Sequence, residues 1–375
     1  MIDAVFASIP AMIVLTGVLA GVAAAIPGLF LVLRGQAMLT DAMAHAIVLG
    51  IVAVWLATGA TAGPVVIAGA AAAGLLCVLA TSAVAATGLV RGDAAIGLVF
   101  PAMFAAGVLL INLNARDLHL DAHSVLLGEI GFVWLDTLPV AGVEVPRAVL
   151  WLAAMAALNA AFVAAFWKEL KLAAFDPGLA AALGLRPRLM GNVLLALTSA
   201  TAVAAFDAVG VVLFVAFAAV PAATALLLTD RLGVALALAL AVAALAAMAG
   251  YPVAVAADVS IGGAMALSAG AALAATAAFA PRHGIAARAR RRAAALRDAD
   301  CRTLVTHLAT HENDPDAATE TAAEALATHL RWHAPRIAET LTLAQDRGLV
   351  RRGKGRIILT PQGRALAAAQ DPRPA

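Results

Sequence analysis

An all-α polytopic membrane domain joined to a small soluble α+β domain is the architecture this sequence predicts, on three observations. Of 375 residues, 63% are hydrophobic and only 13% charged, with a mean hydropathy of +0.95. A soluble domain is typically about a quarter charged, so the excess apolar surface needs lipid as its solvent. The apolar residues run in stretches long enough to cross ~30 Å of hydrocarbon. The charge is also unevenly placed: residues 1–281 hold 9 Lys/Arg against 13 Asp/Glu, a net of −4, and residues 282–375 hold 16 against 10, a net of +6. The chain therefore divides into a membrane domain over 1–284, a basic juxtamembrane linker over 285–299 and a cytoplasmic domain over 300–375.

Taken in order, the candidate spans fall at about 9–33, 41–58, 63–88, 94–113, 146–167, 189–209, 210–229, 231–249 and 259–280. No polar loop separates 189–209 from 210–229. The N-terminal apolar stretch has no basic residue before it, so it is expected to stay as a first span rather than be cleaved as a signal peptide. With nine alternating spans and a cytoplasmic tail, one side receives Arg34, Arg91, Lys168, Lys171, Arg186, Arg188 and Arg231, and the other only Arg116 and Arg147. Basic residues favour the cytoplasmic side, which predicts N-out, C-in in the cell inner membrane. Cys77 and Cys301 lie in different modules, which excludes a disulfide scaffold or a CxxC metal clip. No GxxxxGK[ST] occurs, and RGKGR at 352–356 lacks its spacing, so ATP binding through a P-loop is not expected of this chain.

Ionisable side chains within spans are costly and mark a pathway by default. Asp41 and His45, in TDAMAHAIVLG, share one helical face. A carboxylate beside an imidazole suits Mn, Fe or Zn, but the spacing alone equally allows a structural hydrogen-bonded pair. Asp207 in AVAAFDAVGVVLF either completes a site or caps the following helix. Glu129 and Asp258 read as solvated interface residues, and the i, i+4 pair His119/His123 as a polar face of an outer loop.

Four segments together resemble the permease subunits of the ABC-type manganese/zinc/iron importer family: LVLRGQAMLTDAMAHAIVLG (31–50), KELKLAAFDPGLAAALGL (168–185), FDAVGVVLFVAFAAVPAATALLL (206–228) and FAPRHG (279–284). The resemblance implies that Asp41 and His45 lie on the metal path, with Asp207 a further candidate ligand. It implies that Glu169, Phe175, Asp176, Pro177 and Gly184 belong to a loop that docks on the ATPase. Residues 176–184 suit that role as a short helix with proline near its start and Gly184 near its end. The implied partners are an ATP-binding subunit, an extracytoplasmic metal-binding protein and a second permease subunit, within membrane lipid. No cofactor is expected to be bound permanently; the metal is cargo, manganese first and then zinc or iron, and ATP belongs to the partner.

The tail reads as a helix, a short turn, a second helix over Ala334–Asp346, Gly348 as its cap, a strand pair around Gly353–Gly355 and a terminal helix from Pro361. That order is a winged helix-turn-helix, and it resembles the DNA-binding domain of iron-dependent repressors. DNA contact would use Arg336, Arg351, Arg352, Lys354 and Arg356 on phosphates. The alternative, which we favour because DNA would have to come to the bilayer, is a retained fold used for protein contact or regulation. His307/His311 and His329/His333 are two further i, i+4 pairs, either sensor ligands or polar helix faces. The basic run Arg288–Arg292 suits anionic lipid headgroups. The whole reads as an importer permease; the rival is a membrane-tethered metal sensor that controls transcription through its tail. A chelate importer is disfavoured by the intramembrane Asp/His pair.

Overall fold

The computed structural model describes residues 6, 8–60, 64–90, 92–114, 130–140, 142–314, 321–353 and 356–369. It divides into two compact units, Met1–Gly284 and Ile285–Ala375. In the first, long helices α1 (Ile9–Leu33), α2 (Met38–Thr58), α3 (Pro64–Ala86) and α4 (Gly92–Asn114) are followed by a 3-10 turn, Ile130–Leu135. Then come strands β1 (Thr137–Val140) and β2 (Val143–Pro146), helix α5 (Arg147–Ala165), the short helices α6 (Trp167–Phe175) and α7 (Pro177–Ala182), and the long helices α8 (Pro187–Leu228), α9 (Leu232–Ala257) and α10 (Ile261–Phe279). Nine of the described helical segments are long and apolar enough to span a bilayer. Helices dominate because hydrocarbon offers backbone groups no partner outside their own segment.

α1 is the hub of this unit, packed by α5, α8 and α9 and buried almost continuously from Ala20 to Leu31. Small residues permit it. Gly28 lies so close to the Ala218 carbonyl that a Cβ there would collide with backbone, and Gly21 sits against Ala243 and Phe217. Gly50 of α2 meets the Gly69 carbonyl of α3 in the same way. Such contacts matter in lipid, where apolar side chains gain nothing by leaving one apolar neighbour for another and close packing drives association.

The two expected spans at 189–209 and 210–229 are a helical hairpin broken at Gly210, whose φ of 75° and ψ of 170° are open to glycine alone at low cost. Asn159 of α5 donates from Nδ2 to the Ala23 carbonyl at 3.0 Å and to Thr201 Oγ1 at 2.9 Å. Phe217 and Ala218 meet Gly21 and Gly28 on the same stretch of α1. Residues 201 and 218 of a straight helix would stand ~25 Å apart, so the chain turns back between them. Gly191 packs on the Arg34 guanidinium, and therefore both ends of α8 return to the Arg34 end of the bundle.

Two expectations are corrected here. The membrane domain is not wholly helical: Thr137–Val140 pairs antiparallel with Val143–Pro146 around Gly142, at φ +85°. Valines and a threonine flanking a residue free to take positive φ favour a hairpin over a helix. Second, α9 does not stop at 249 but continues through Gly250 and Pro252 to Ala257. Gly250 is there for packing, since its α-carbon faces the Met265 backbone, and not as a terminus. Asp258 then caps α9 in the left-handed conformation, exposed as expected.

The second unit runs α11 (Ile285–Thr310), α12 (Ala323–His329), α13 (Ala334–Asp346), β3 (Val350–Gly353), β4 (Arg356–Leu359) and α14 (Pro361–Ala368). Residues 285–299 are the first half of α11. The core gathers Cys301, Leu304, Val305, Leu308, Leu326, Ile337, Leu341, Leu349, Val350, Ile357 and Leu359. Ile357 and Leu359 share the inward face of β4, and Ile358 between them lies on the other face. Gly348, at φ +68°, ends α13 in a Schellman motif, its amide bonded to Gln345 and that of Leu349 to Ala344. Bidentate pairs fasten the periphery: Arg336 on Asp300 and Arg364 on Glu312.

Adding a side chain at Gly28 should cost about 1–3 kcal/mol through overpacking. Gly28→Val is expected to lower the melting temperature of the purified protein in micelles. Gly97→Ala, at a position with nothing within 4 Å, should leave it unchanged.

Candidate metal site and docking loop

Asp41 stands in the first turn of α2 and His45 one turn further, about 10 Å along the helix from Met38. His45 Nε2 lies 3.6 Å from Asp41 Oδ1. That lies just beyond hydrogen-bond range and within the reach of an ion pair. Two donors sharing an ion at ~2.1 Å stand roughly 3–3.4 Å apart, close to what the pair already shows. Two aromatic rings of α4 fix the imidazole: Phe100 stacks on it at 5.8 Å between centroids, and Phe104 meets it edge-on at 5.6 Å. Gly107 lets α4 approach the α2 backbone at Leu49 and sets those rings against His45. In the single chain the Asp41 and His45 side chains are 41% and 31% exposed, so they look outward from the bundle and not into its core.

Among the described residues no group of three or more His, Cys, Asp or Glu side chains is arranged to hold an ion. The Asp207 backbone is itself helical, three residues before the break at Gly210, and so belongs to the first half of α8. Ile47 and Ser199 both pack on Gly74 and mark one level of the bundle. Asp207 lies eight residues beyond Ser199, about 12 Å along the axis. Within one chain its backbone is thus well removed from His45. Glu129, His119 and His123 lie outside the described residues.

Residues 176–184 form the short helix that their sequence predicts. Asp176 caps α7 by accepting from the Leu179 amide at 2.8 Å, and Pro177 takes the first helical position. Gly184, at φ +80°, closes the helix in a second Schellman motif through Ala181 and Ala180. Glu169 is half-buried on α6, and Phe175 is 62% exposed. Sequence reasoning missed Leu179 and Leu183, exposed by 48% and 65%; their i, i+4 spacing beside Phe175 was the available signal. Next to this apolar knob opens a cavity of about 840 Å³ lined by Arg34, Gln36, Pro177, Arg186 and Arg188, with no acidic side chain on its wall. Burial lowers the affinity of the Arg34 guanidinium for its proton. Asp230 binds Arg282 at 3.3 Å and His283 at 3.0 Å, which hold its carboxyl below the usual range and tie the α8–α9 turn to the end of α10.

The sequence model of the ABC 3 transport family matches residues 8–280. The chain belongs to this family. It is 41% identical over 358 residues to the zinc transport system membrane protein TroD of Treponema pallidum (strain Nichols), covering 96% of this chain and 98% of that protein. It is 44% identical over 279 residues to the manganese transport system membrane protein MntD of Bacillus subtilis (strain 168), covering 74% and 94%. The fold is similar to a chain of PsaBC from Streptococcus pneumoniae, solved in complex with Fab, with a TM-score of 0.60 and 25% identity over 72% of this chain and 91% of that one. This member of the ABC 3 transport family is accordingly a multi-pass membrane protein and a permease subunit, not an enzyme.

In the tail, Arg336 is engaged from two sides, by Asp300 and by the Trp332 ring 4.6 Å beneath its guanidinium. Arg351, Arg352 and Arg356 are exposed on the β3–β4 hairpin, and Lys354 lies outside the described residues.

Proposed function

We propose that this permease carries a divalent transition metal, manganese first and zinc or iron next, inward across the membrane. The observation that supports it most directly is the Asp41–His45 pair. It consists of an oxygen and a nitrogen donor 3.6 Å apart on one helical face, with ring orientation set by Phe100 and Phe104. Partial exposure of ionisable groups is costly against lipid, so the pair calls for a covering surface. A second permease subunit would supply it and place the metal path between the two subunits. Asp207 becomes a separate polar station near the opposite end of the path.

In this reading the end of the bundle carrying Arg34, Lys168, Arg186, Arg188 and Arg231 faces the cytoplasm. The ATP-binding subunit docks on α7, its apolar surface meeting Phe175, Leu179 and Leu183 and its acidic side chains meeting the three arginines of the adjoining cavity. An extracytoplasmic metal-binding protein delivers the ion at the other end. Capped at Asp176 and closed at Gly184, α7 is stiff enough to transmit ATP-driven movement. We read the tail as a cytoplasmic winged-helix domain, on its order of helix, turn, helix, hairpin and helix. Engagement of Arg336 by Asp300 disfavours DNA as its partner, and the membrane-tethered sensor is the reading set aside.

Asp41→Ala and His45→Ala are each expected to abolish radiometal uptake by the assembled transporter with normal expression; normal uptake in both would refute the site. Leu179→Asp with Leu183→Asp should cost the apolar contact, reducing co-purification of the ATPase at least tenfold while the permease still folds. Undiminished capture would remove α7 from the interface. For the tail, a selection from random DNA at ~150 mM salt should yield no site preferred by 10³-fold, the low end for specific binders. A nanomolar operator would revive the sensor.

A further inference from the structure

We infer that the tail holds a transition-metal site of its own, built from His307, His311 and His329. His307 lies in the last turn of α11, His311 one turn beyond, and His329 ends α12. The structure brings the three imidazoles into one triangle, with centroids 4.7 Å apart for His307–His311, 5.7 Å for His307–His329 and 6.4 Å for His311–His329. Sequence spacing had paired His329 with His333 instead; His333 is exposed and precedes α13.

Three imidazoles on one ion at ~2.0–2.1 Å per bond set their ring centroids roughly 5 Å apart. One side of the triangle meets that value, and the longest exceeds it by little more than an ångström. The rings as they stand do not enclose an ion. Closure requires His329 to swing toward the α11 pair about its Cα–Cβ bond, because turning the ring about Cβ–Cγ leaves its centroid in place.

Two further features point to a ligand. Asp314 Oδ2 lies 2.8 Å from His311 Nδ1. A carboxylate there keeps the proton on Nδ1 and turns Nε2 outward as a donor, the outer-shell arrangement that metal-binding histidines use. His307 and His311, though not His329, also line a cavity of about 420 Å³ together with Arg302, Thr306 and Thr310, with room for an ion and a water. Glu312, next in sequence to His311, is not available, because Arg364 holds both of its oxygens. Arg302 repels cations, so affinity has to come from the nitrogen bonds and not from charge. That selects Zn²⁺, Co²⁺, Ni²⁺ or Cu²⁺ over Mg²⁺, Ca²⁺ or Mn²⁺. The bound ion would fasten the end of α11 to α12.

The inference does not depend on what the membrane domain carries, and its test is arranged accordingly. Untagged full-length protein bearing Asp41→Ala and His45→Ala is stripped of metal in micelles and titrated with Zn²⁺ and Co²⁺. One equivalent per chain is expected to bind, with the intense visible Co²⁺ bands of a four- or five-coordinate ion. His307→Ala or His329→Ala should weaken that equivalent at least tenfold, and His333→Ala should leave it unchanged. Affinities within twofold of the parent for His307→Ala and His329→Ala, or an equal loss for His333→Ala, would overturn the site. Hydrogen exchange of the chain with all three site histidines intact guards against misfolded variants. Saturating Zn²⁺ should slow exchange at residues 304–312 and 323–331, and unchanged exchange there counts against the proposal.

Discussion

The membrane unit depends on how closely its backbones approach α1. Two halves of α8, together with α5 and α9, crowd one helix whose surface is largely alanine and glycine. In water such a surface would contribute little, since small side chains bury little apolar area. In lipid the balance changes: helices associate through van der Waals contact over short distances, and a large side chain at Gly28 would hold α8 away from α1. The alanine richness that looks uninformative in the composition is thus what the bundle is made of.

Polarity within the bundle is sparse and its placement is telling. Asn159 ties α5 to α1 and α8 with two hydrogen bonds from its amide nitrogen, which fix a register, while its buried Oδ1 has no hydrogen-bond partner among the described residues. The Asp41–His45 pair differs: aromatic packing holds the imidazole alone, 3.6 Å separates the two side chains, and both stand partly exposed. The arginines gather where α1 ends and α8 begins, beside a helix capped at both ends and apolar on its outer face. The Asp41–His45 pair and the arginines beside α7 thus lie toward the same end of the bundle, with the first turns of α2 connecting them.

The tail is constructed by other rules. Its unit folds around branched aliphatic side chains, and its charges are paired at the rim, with Asp300, Asp298 and Glu312 each holding an arginine. The Glu312 carboxyl is held below the ordinary carboxylate range by Arg364. Its contribution to stability is therefore present at neutral pH and is lost only as pH falls below about 4, the usual glutamate range. Arginines that a basic composition offered to DNA are in part occupied with holding the domain together.

Hydropathy and charge were sufficient to place the spans, the tail and the i, i+4 face shared by Asp41 and His45, because each of these follows from local periodicity and from the cost of charge in lipid. Proline, the aspartate cap and Gly184 likewise announced α7, since capping is decided by neighbours in the chain. What lies between segments distant in sequence was not legible. The reversal at Gly210 rests on packing against α1, and the continuation of α9 through Pro252 on Met265 lying against Gly250. The clamp of Phe100 and Phe104 on His45 depends on Gly107 admitting α4 to α2. The choice of His329 over His333 as neighbour of the α11 histidines depends on where α12 ends. Periodicity says which side chains share a face; only the packed chain says which faces meet.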